Sequence, residues 1–370
     1  MSPQKNALPH VSVTGRIVSH RDKIVGAWRT DSPANSPPSC VEIHLTDNCN
    51  ADCPFCFYGS GKLTVTRKLD EKVAMKLCHE LCEMKVKAVI LSGGGEPTLH
   101  PSFPRIVETL LAAGVEVGVI TNGLCNKEPV LNALSLCTWI KYSVHTHLSH
   151  NYPNVMGVGA AAFKIVSNNI VRAIQDCSKE RTRIGVGCVI TKWTDSDEHI
   201  FGFFDHFSNL GVNYVLYKDC IGYPQEFRSI REKAAFENLM PELKRRAKAT
   251  GTYTNFHTFV RDYAAKREVF CGKCPIVWDG LIAMVSATGD VFGCLPIMQQ
   301  GIPTNSYGNC NVMSFMGIWE GKKRQAWLAS QNDAHCPPCR YERMFSTMNR
   351  LVDGAISESA ASLDQHWKFI

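Results

Sequence analysis

Apolar positions along the chain alternate between two spacings: short continuous runs, and stripes three or four residues apart. The run 41–45 comes first. The stretch 70–84 then places Val73, Ala74, Leu77, Cys78 and Leu81 on one helical face. A buried-type strand at 86–91 is bounded by Gly93, Gly94 and Gly95. Helix 104–113 follows, striped by Ile106, Val107, Leu110 and Leu111, with Ser102 as N-cap and Gly114 as stop. Strand 115–120 ends at Thr121-Asn122-Gly123. A helix near 127–136, strand 139–144, helix 160–176, strand 184–190, helix 196–209 and strand 214–217 complete six strand–helix units.

Strands separated by helices imply a parallel sheet, because parallel neighbours need a crossover. A closed eight-unit barrel takes about 250 residues. Six units in roughly 200 residues predict an α/β fold with an open, partial barrel. Ligands of such sheets sit at the C-terminal strand ends, so the residues just after each strand are the place to look. Residues 1–39 read as an N-terminal tail or cap, with Pro33, Pro37 and Pro38 discouraging regular structure. Cysteine, glycine and turn residues dominate beyond about 265, and a hairpin is expected across 285–292. The expected division is therefore 1–39 tail, 40–265 barrel, 266–345 small cysteine-rich α+β unit and 346–370 tail. The small unit looks too loop-rich for a large core of its own, and a metal site would staple it.

Composition narrows the class. At 370 residues with 45% hydrophobic and 20% charged residues, the chain is an ordinary globular protein. No run approaches the ~20 apolar residues of a membrane span, and the start lacks the pattern of a secretory signal, so a cytoplasmic protein is expected. The net charge of +6 needs no special partner, and the densest basic patch, Lys244 to Lys248, reads as a solvated helix face rather than a nucleic-acid surface. Of the seventeen cysteines, three lie within 49–56 and six within 271–339. An odd, clustered set in a cytosolic-looking chain points to metal or reactive thiols.

The stretch Cys49-Asn-Ala-Asp-Cys53-Pro-Phe-Cys56 directly follows the first strand. Three thiolates at that spacing can converge on one ion or cluster. Three ligands to a four-iron cluster leave an iron open, which suits catalysis, and structural zinc with a distant fourth ligand is the alternative. In a six-unit α/β chain, Cys-x3-Cys-x-Phe-Cys resembles the radical S-adenosylmethionine (radical SAM) superfamily. That resemblance implies a partial (β/α)6 radical SAM barrel. Cys49, Cys53 and Cys56 would hold a 4Fe–4S cluster whose open iron is chelated by SAM. An electron from the cluster would cleave SAM to a 5′-deoxyadenosyl radical. Phe55 matches the family's aromatic beside the adenine. Gly93-Gly94-Gly95-Glu96-Pro97 after the second strand resembles the family's GGEP motif for the SAM amino group. No Lys-Ser/Thr follows it, so a phosphate loop does not fit. Ser143, ending the fourth strand, matches a serine that contacts SAM; His145 stands where relatives carry an aspartate.

The C-terminal cysteines need their own account. Cys271-x2-Cys274, Cys294 and Cys336-Pro-Pro-Cys339 suit one tetrahedral thiolate site, zinc or iron–sulfur. Their order around Gly289, Tyr307-Gly308-Asn309 and Ile318-Trp319 resembles the auxiliary-cluster extensions called SPASM and Twitch. No cysteine follows Cys339, so the shorter Twitch form, with one auxiliary 4Fe–4S cluster, is expected. Cys274, Cys294, Cys336 and Cys339 are the expected ligands and Cys271 the reserve.

The fate of the substrate radical would define the enzyme. Dehydrogenation needs a base, and His145 and Lys218 lie at strand ends. Epimerisation needs a hydrogen-donating thiol outside the clusters, for which Cys220 and Cys310 are placed. The family's peptide-modifying members often carry a recognition domain of about 80–90 residues, and only 39 residues precede Cys40. A small polar metabolite, such as a sugar, aminocyclitol or nucleoside-like compound, is therefore the expected substrate of a biosynthetic oxidoreductase or epimerase. The resemblance also implies a flavodoxin- or ferredoxin-type electron donor. A maturase of a ribosomally made peptide and a zinc-stapled binding protein are the alternatives.

Overall fold

The computed structural model describes residues 19–30, 36–59, 66–220, 225–262, 274–330, 347–348 and 350–352. All six expected strands form: β1 (Cys40–His44), β2 (Ala88–Ser92), β3 (Glu116–Thr121), β4 (Trp139–Ser143), β5 (Arg183–Ile190) and β6 (Tyr214–Asp219). They pair in parallel and in chain order. The first helix of the chain, α1 (Arg21–Thr30), precedes them. The crossovers carry α2 (Glu71–Glu83), α3 (Phe103–Ala112), α4 (Glu128–Leu136), α5 (Tyr152–Met156), α6 (Ala162–Asp176) and α7 (Asp197–Leu210).

Alternation within each strand sorts side chains to two faces. Val41 and Ile43 of β1 and Val89 and Leu91 of β2 join the main core with Ala74, Leu77 and Leu81 of α2. Cys40, Ala88 and Ile90 point the other way and form a small separate cluster against Trp139. That second face is the inner wall of the partial barrel. The register extends it: His44 pairs with Ser92, Lys141 with Gly185, and Ser143 with Gly187. Helix starts follow local chemistry. The Asp70 carboxylate accepts from the Lys72 and Val73 amides at 2.8 and 3.3 Å and opens α2. Ser102 does stand at the N-cap of α3, but its hydroxyl donates to Glu71 at 2.9 Å instead of capping its own helix.

Three features depart from expectation. The N-terminal tail contains α1, whose Ile24 and Ala27 are buried in the main core. The prolines that argued against structure begin only at Pro33, beyond its end. A further strand, β7 (Tyr253–Thr254), adds to β6 in parallel. The C-terminal unit does not build a sheet of its own. Its strand β8 (Ile282–Val285) pairs in parallel with β1, and β9 (Asp290–Phe292) and β10 (Gly308–Asn309) follow antiparallel. The result is one ten-stranded sheet, ordered β10-β9-β8-β1-β2-β3-β4-β5-β6-β7. Among the described residues no helix is long and apolar enough to cross a membrane.

Candidate active site

The loop after β1 carries Cys49, Cys53 and Cys56, and it is tied on two sides. The Asp47 amide donates to Arg67 O at 2.9 Å, and the Asp52 amide to Met156 O, at the end of α5, also at 2.9 Å. Gly157 takes φ +64°, and a Cβ there would run into the Asp52 carbonyl, so α5 packs directly on the cysteine loop. Cys53 Sγ lies 3.7 Å from Met156 Sδ. Burial above all, with the neighbouring thiols adding, pushes Cys49 up to about 11 and Cys53 well above the ordinary thiol range. Each thiol thus feels its neighbours' charge, and binding to iron would be what removes the protons. Among the described residues no three His, Cys, Asp or Glu side chains close on the point a single ion would occupy. Three thiols on one loop, with Cys49 and Cys53 raised in part by their neighbours, suit the three protein ligands of a four-iron cluster with one open iron.

The glycine turn after β2 abuts this loop. The Gly95 amide donates to Thr46 O at 3.0 Å and the Glu96 amide to Asn48 O at 2.8 Å. A Cβ on Gly94 would meet the Asp47 carboxylate, and one on Gly95 would fall on the Asn48 carbonyl. Only glycine allows that approach. Glu96 is buried, and its carboxylate is saturated. Oε1 accepts from the Thr98 amide (3.1 Å), Thr98 Oγ1 (2.6 Å) and Thr121 Oγ1 (2.7 Å), and Oε2 accepts from the Asn122 amide (2.7 Å). Burial raises its pKa, while those four donors oppose the shift. Asn122 then passes the link on. Its Nδ2 donates to Asn50 Oδ1 at 2.8 Å and lies 3.6 Å from Cys49 Sγ. Glu96 therefore clamps the ends of β2 and β3 to the cysteine loop. Pro97 begins the single turn Pro97–Leu99 that the Glu96 side chain caps.

The remaining predicted residues divide. Phe55 is buried between Cys53 and Cys56, edge-on to His145 with ring centroids 5.1 Å apart. Ser143 is half-buried on the inner wall, and a Cβ on its partner Gly187 would meet only the Tyr142 carbonyl, at 3.9 Å. Open space thus lies beside Ser143, where the resemblance puts SAM. His145, the first candidate base, sits in a constrained and buried setting. Its φ is +64°, its Nδ1 accepts from the Val189 amide at 3.1 Å, and burial, then the Lys218 and Lys141 charges, push it down to about 3. Lys218 is exposed on β6 and close enough to act on His145. Cys220 is buried, its thiol pushed up to about 12 by burial with Asp219 adding. Cys310 is buried too, but its charged neighbours are Glu80 and Lys76 of α2 and Asp290, none of them in the Glu96–Asn122 network. Its thiol is also pushed up to about 12, mainly by burial, so neither cysteine is primed as a thiolate.

Of the auxiliary ligands, Cys274 and Cys294 are described and buried; Cys271, Cys336 and Cys339 lie outside the described residues. Burial drives the Tyr307 phenol well above its ordinary range, and the charges of Cys294 and Cys274 add to the shift. The Tyr307 hydroxyl is buried with no partner among the described residues. Two buried thiols beside an orphaned phenol fit a cluster site.

Residues to which sequence analysis assigned no role complete the site. Thr98, Thr121 and Asn122 hold Glu96. On the inner wall Glu42 accepts from Ser92 Oγ, and its Oε1 lies 3.3 Å from His44 Nε2. The signal for Glu42 and His44 is their alternation with Val41, Ile43 and Leu45. Tyr58, two residues beyond Cys56, stands edge-on to His44 at 5.5 Å.

Comparison with known proteins bears on this site as a whole. The profile of the radical SAM superfamily matches residues 43–204, and that of the SPASM iron–sulfur cluster-binding domain matches residues 258–341. A tungsten-containing aldehyde ferredoxin oxidoreductase cofactor-modifying protein of Pyrococcus furiosus is 22% identical over 303 residues, covering 77% of this chain and 82% of that protein. A PqqA peptide cyclase of Xanthomonas campestris pv. campestris is 32% identical over 98 residues, which is 26% of either chain. Among solved structures, Streptococcus suis SuiB bound to precursor peptide SuiA superposes with a TM-score of 0.62 at 15% identity, over 85% of this chain and 71% of that one.

Proposed function

This chain belongs to the radical SAM superfamily and carries a SPASM-type domain towards its C-terminus, and from that premise we propose that it is a maturase that modifies a ribosomally made peptide. Such proteins bind SAM on a 4Fe–4S cluster and hold further iron–sulfur in the SPASM region. The likeness to a PqqA peptide cyclase carries the choice of substrate, and SuiB, alike in fold, was solved with its precursor peptide. A peptide substrate therefore replaces the small polar metabolite expected from the short N-terminal segment, and the oxidoreductase or epimerase assignment gains no support from the relatives. Zinc stapling without catalysis falls with family membership. A match over 77% of this chain is to a cofactor-modifying protein, which makes a cofactor precursor the second substrate class.

Cys49, Cys53 and Cys56 would hold the SAM-binding cluster; Cys274, Cys294, Cys336 and Cys339 would hold one auxiliary cluster. Bound there, the cluster and SAM supply a 5′-deoxyadenosyl radical that takes a hydrogen atom from substrate. The chain's own share is positioning and exclusion. Glu96 fixes the glycine turn against the cysteine loop, and Phe55 and Ser143 bound the space where SAM would lie. Anaerobically prepared wild-type protein should contain about eight irons, falling to about four when Cys49, Cys53 and Cys56 become alanine. The variant should form no 5′-deoxyadenosine. Short peptides encoded beside the gene, incubated with enzyme, SAM and dithionite, should show a mass change in one of them. SAM cleavage with every peptide unaltered and a cofactor precursor consumed would move the assignment to the second class.

A further inference from the structure

Tyr58 joins parts of the chain that are far apart in sequence. It follows the third cysteine of the SAM-site loop by two residues. Its ring stands edge-on to His44 at the end of β1, and a Cβ on Gly94 of the glycine turn would lie 3.7 Å from its Cδ1. Its hydroxyl accepts a hydrogen bond from Gln299 Nε2 at 3.3 Å. Gln299 ends the short helix Leu295–Gln299, whose N-cap is Cys294, an expected auxiliary-cluster ligand. One side chain thus lies beside the glycine turn, stands against the end of β1, and is bonded to the helix that leaves the auxiliary site.

We propose that Tyr58 is a positioning residue of the SAM site and that Gln299 helps to hold it there, so that the auxiliary-cluster region acts on SAM binding through this hydrogen bond. The inference rests on the cluster assignments made above. The bond fixes the ring against the turn that would receive SAM, and its loss lets the ring move without removing any SAM contact of the cysteine loop.

The test uses reconstituted full-length protein with SAM as the probe. Tyr58→Phe keeps the ring and removes the acceptor; Gln299→Leu removes the donor. Losing one hydrogen bond should weaken SAM binding about fivefold in either variant. The double variant should be no weaker than the singles, because both remove the same bond. Iron content should match wild type, which separates positioning from folding. The EPR signal of the reduced cluster, which changes when SAM occupies its open iron, should need correspondingly more SAM to shift. Wild-type affinity in Tyr58→Phe, or additive losses in the double variant, would overturn the proposal alone. A wild-type protein that holds iron but shows no SAM-induced change would overturn the cluster assignment, and the proposal with it.

Discussion

A carboxylate buried without a basic partner survives only if hydrogen bonds replace its lost water, and Glu96 has four such donors. Glutamine in its place has a single acceptor oxygen and must turn an amide NH2 towards other donors. Glu96→Gln should therefore cost about 1–3 kcal/mol, read as a lower urea midpoint. An unchanged midpoint would mean that the clamp contributes nothing to stability. The identity of this residue was legible in the sequence, since a glycine turn ending in Glu-Pro after a strand is a recognisable pattern. Its partners were not. Thr121 and Asn122 lie 25 and 26 residues further on and reach it only because β2 and β3 pair side by side. The surroundings of His145 were hidden for the same reason. A histidine at a strand end suggests a base, while the Val189 amide that occupies its Nδ1 comes from the neighbouring strand.

Elements striped by a clear period were placed within a residue or two, because burial on one face dictates both period and length. The misses were short or depended on distant partners. The strand β7 has two residues and no periodicity to detect, and α1 buries its apolar residues in a core completed by the rest of the chain. Helix α7 carries a property of its own. Its His199 and His206 face His147 from the loop after β4, with ring centroids 5.1 and 6.2 Å from it, and a Cβ on Gly202 between them would meet His147 Nε2 at 2.5 Å. Burial lowers all three pKa values, that of His147 to about 4, with the other imidazoles of the group and His150 adding to its shift. A histidine whose folded pKa lies below its unfolded value of about 6.5 stabilises the fold above that value. The contribution is lost as pH falls towards the folded value. The melting temperature should thus be level above pH 7 and decline between about pH 6.5 and 4. His206→Phe, which keeps a ring against Phe163 and Phe207, should flatten part of that decline. An identical pH profile in the variant would exclude the cluster as its source.

At the scale of the molecule, β1 is the hinge of the design, because it is shared. Its sequence reads as an ordinary first strand, and nothing in Val41 or Ile43 announces a second neighbour. Yet β1 pairs with β2 on one side and with β8, more than 200 residues later in the chain, on the other. The auxiliary-cluster region is thereby attached to the strand whose C-terminal end leads straight into the cysteine loop. The boundary expected near 265 marks a change of composition and not a division of the sheet. A chain ending at residue 262 would expose the whole β8-facing edge of β1, and an unpaired edge of apolar residues is an aggregation surface. It would also remove Ile282 and Met284 from the core cluster to which Ile24 and Ala27 belong. Such a fragment should be insoluble or associate, and should bind no SAM, whereas the full chain should unfold in a single transition. A soluble, monomeric 1–262 fragment that binds SAM as the full chain does would show that β8 is an accessory strand and that the barrel closes its own first edge.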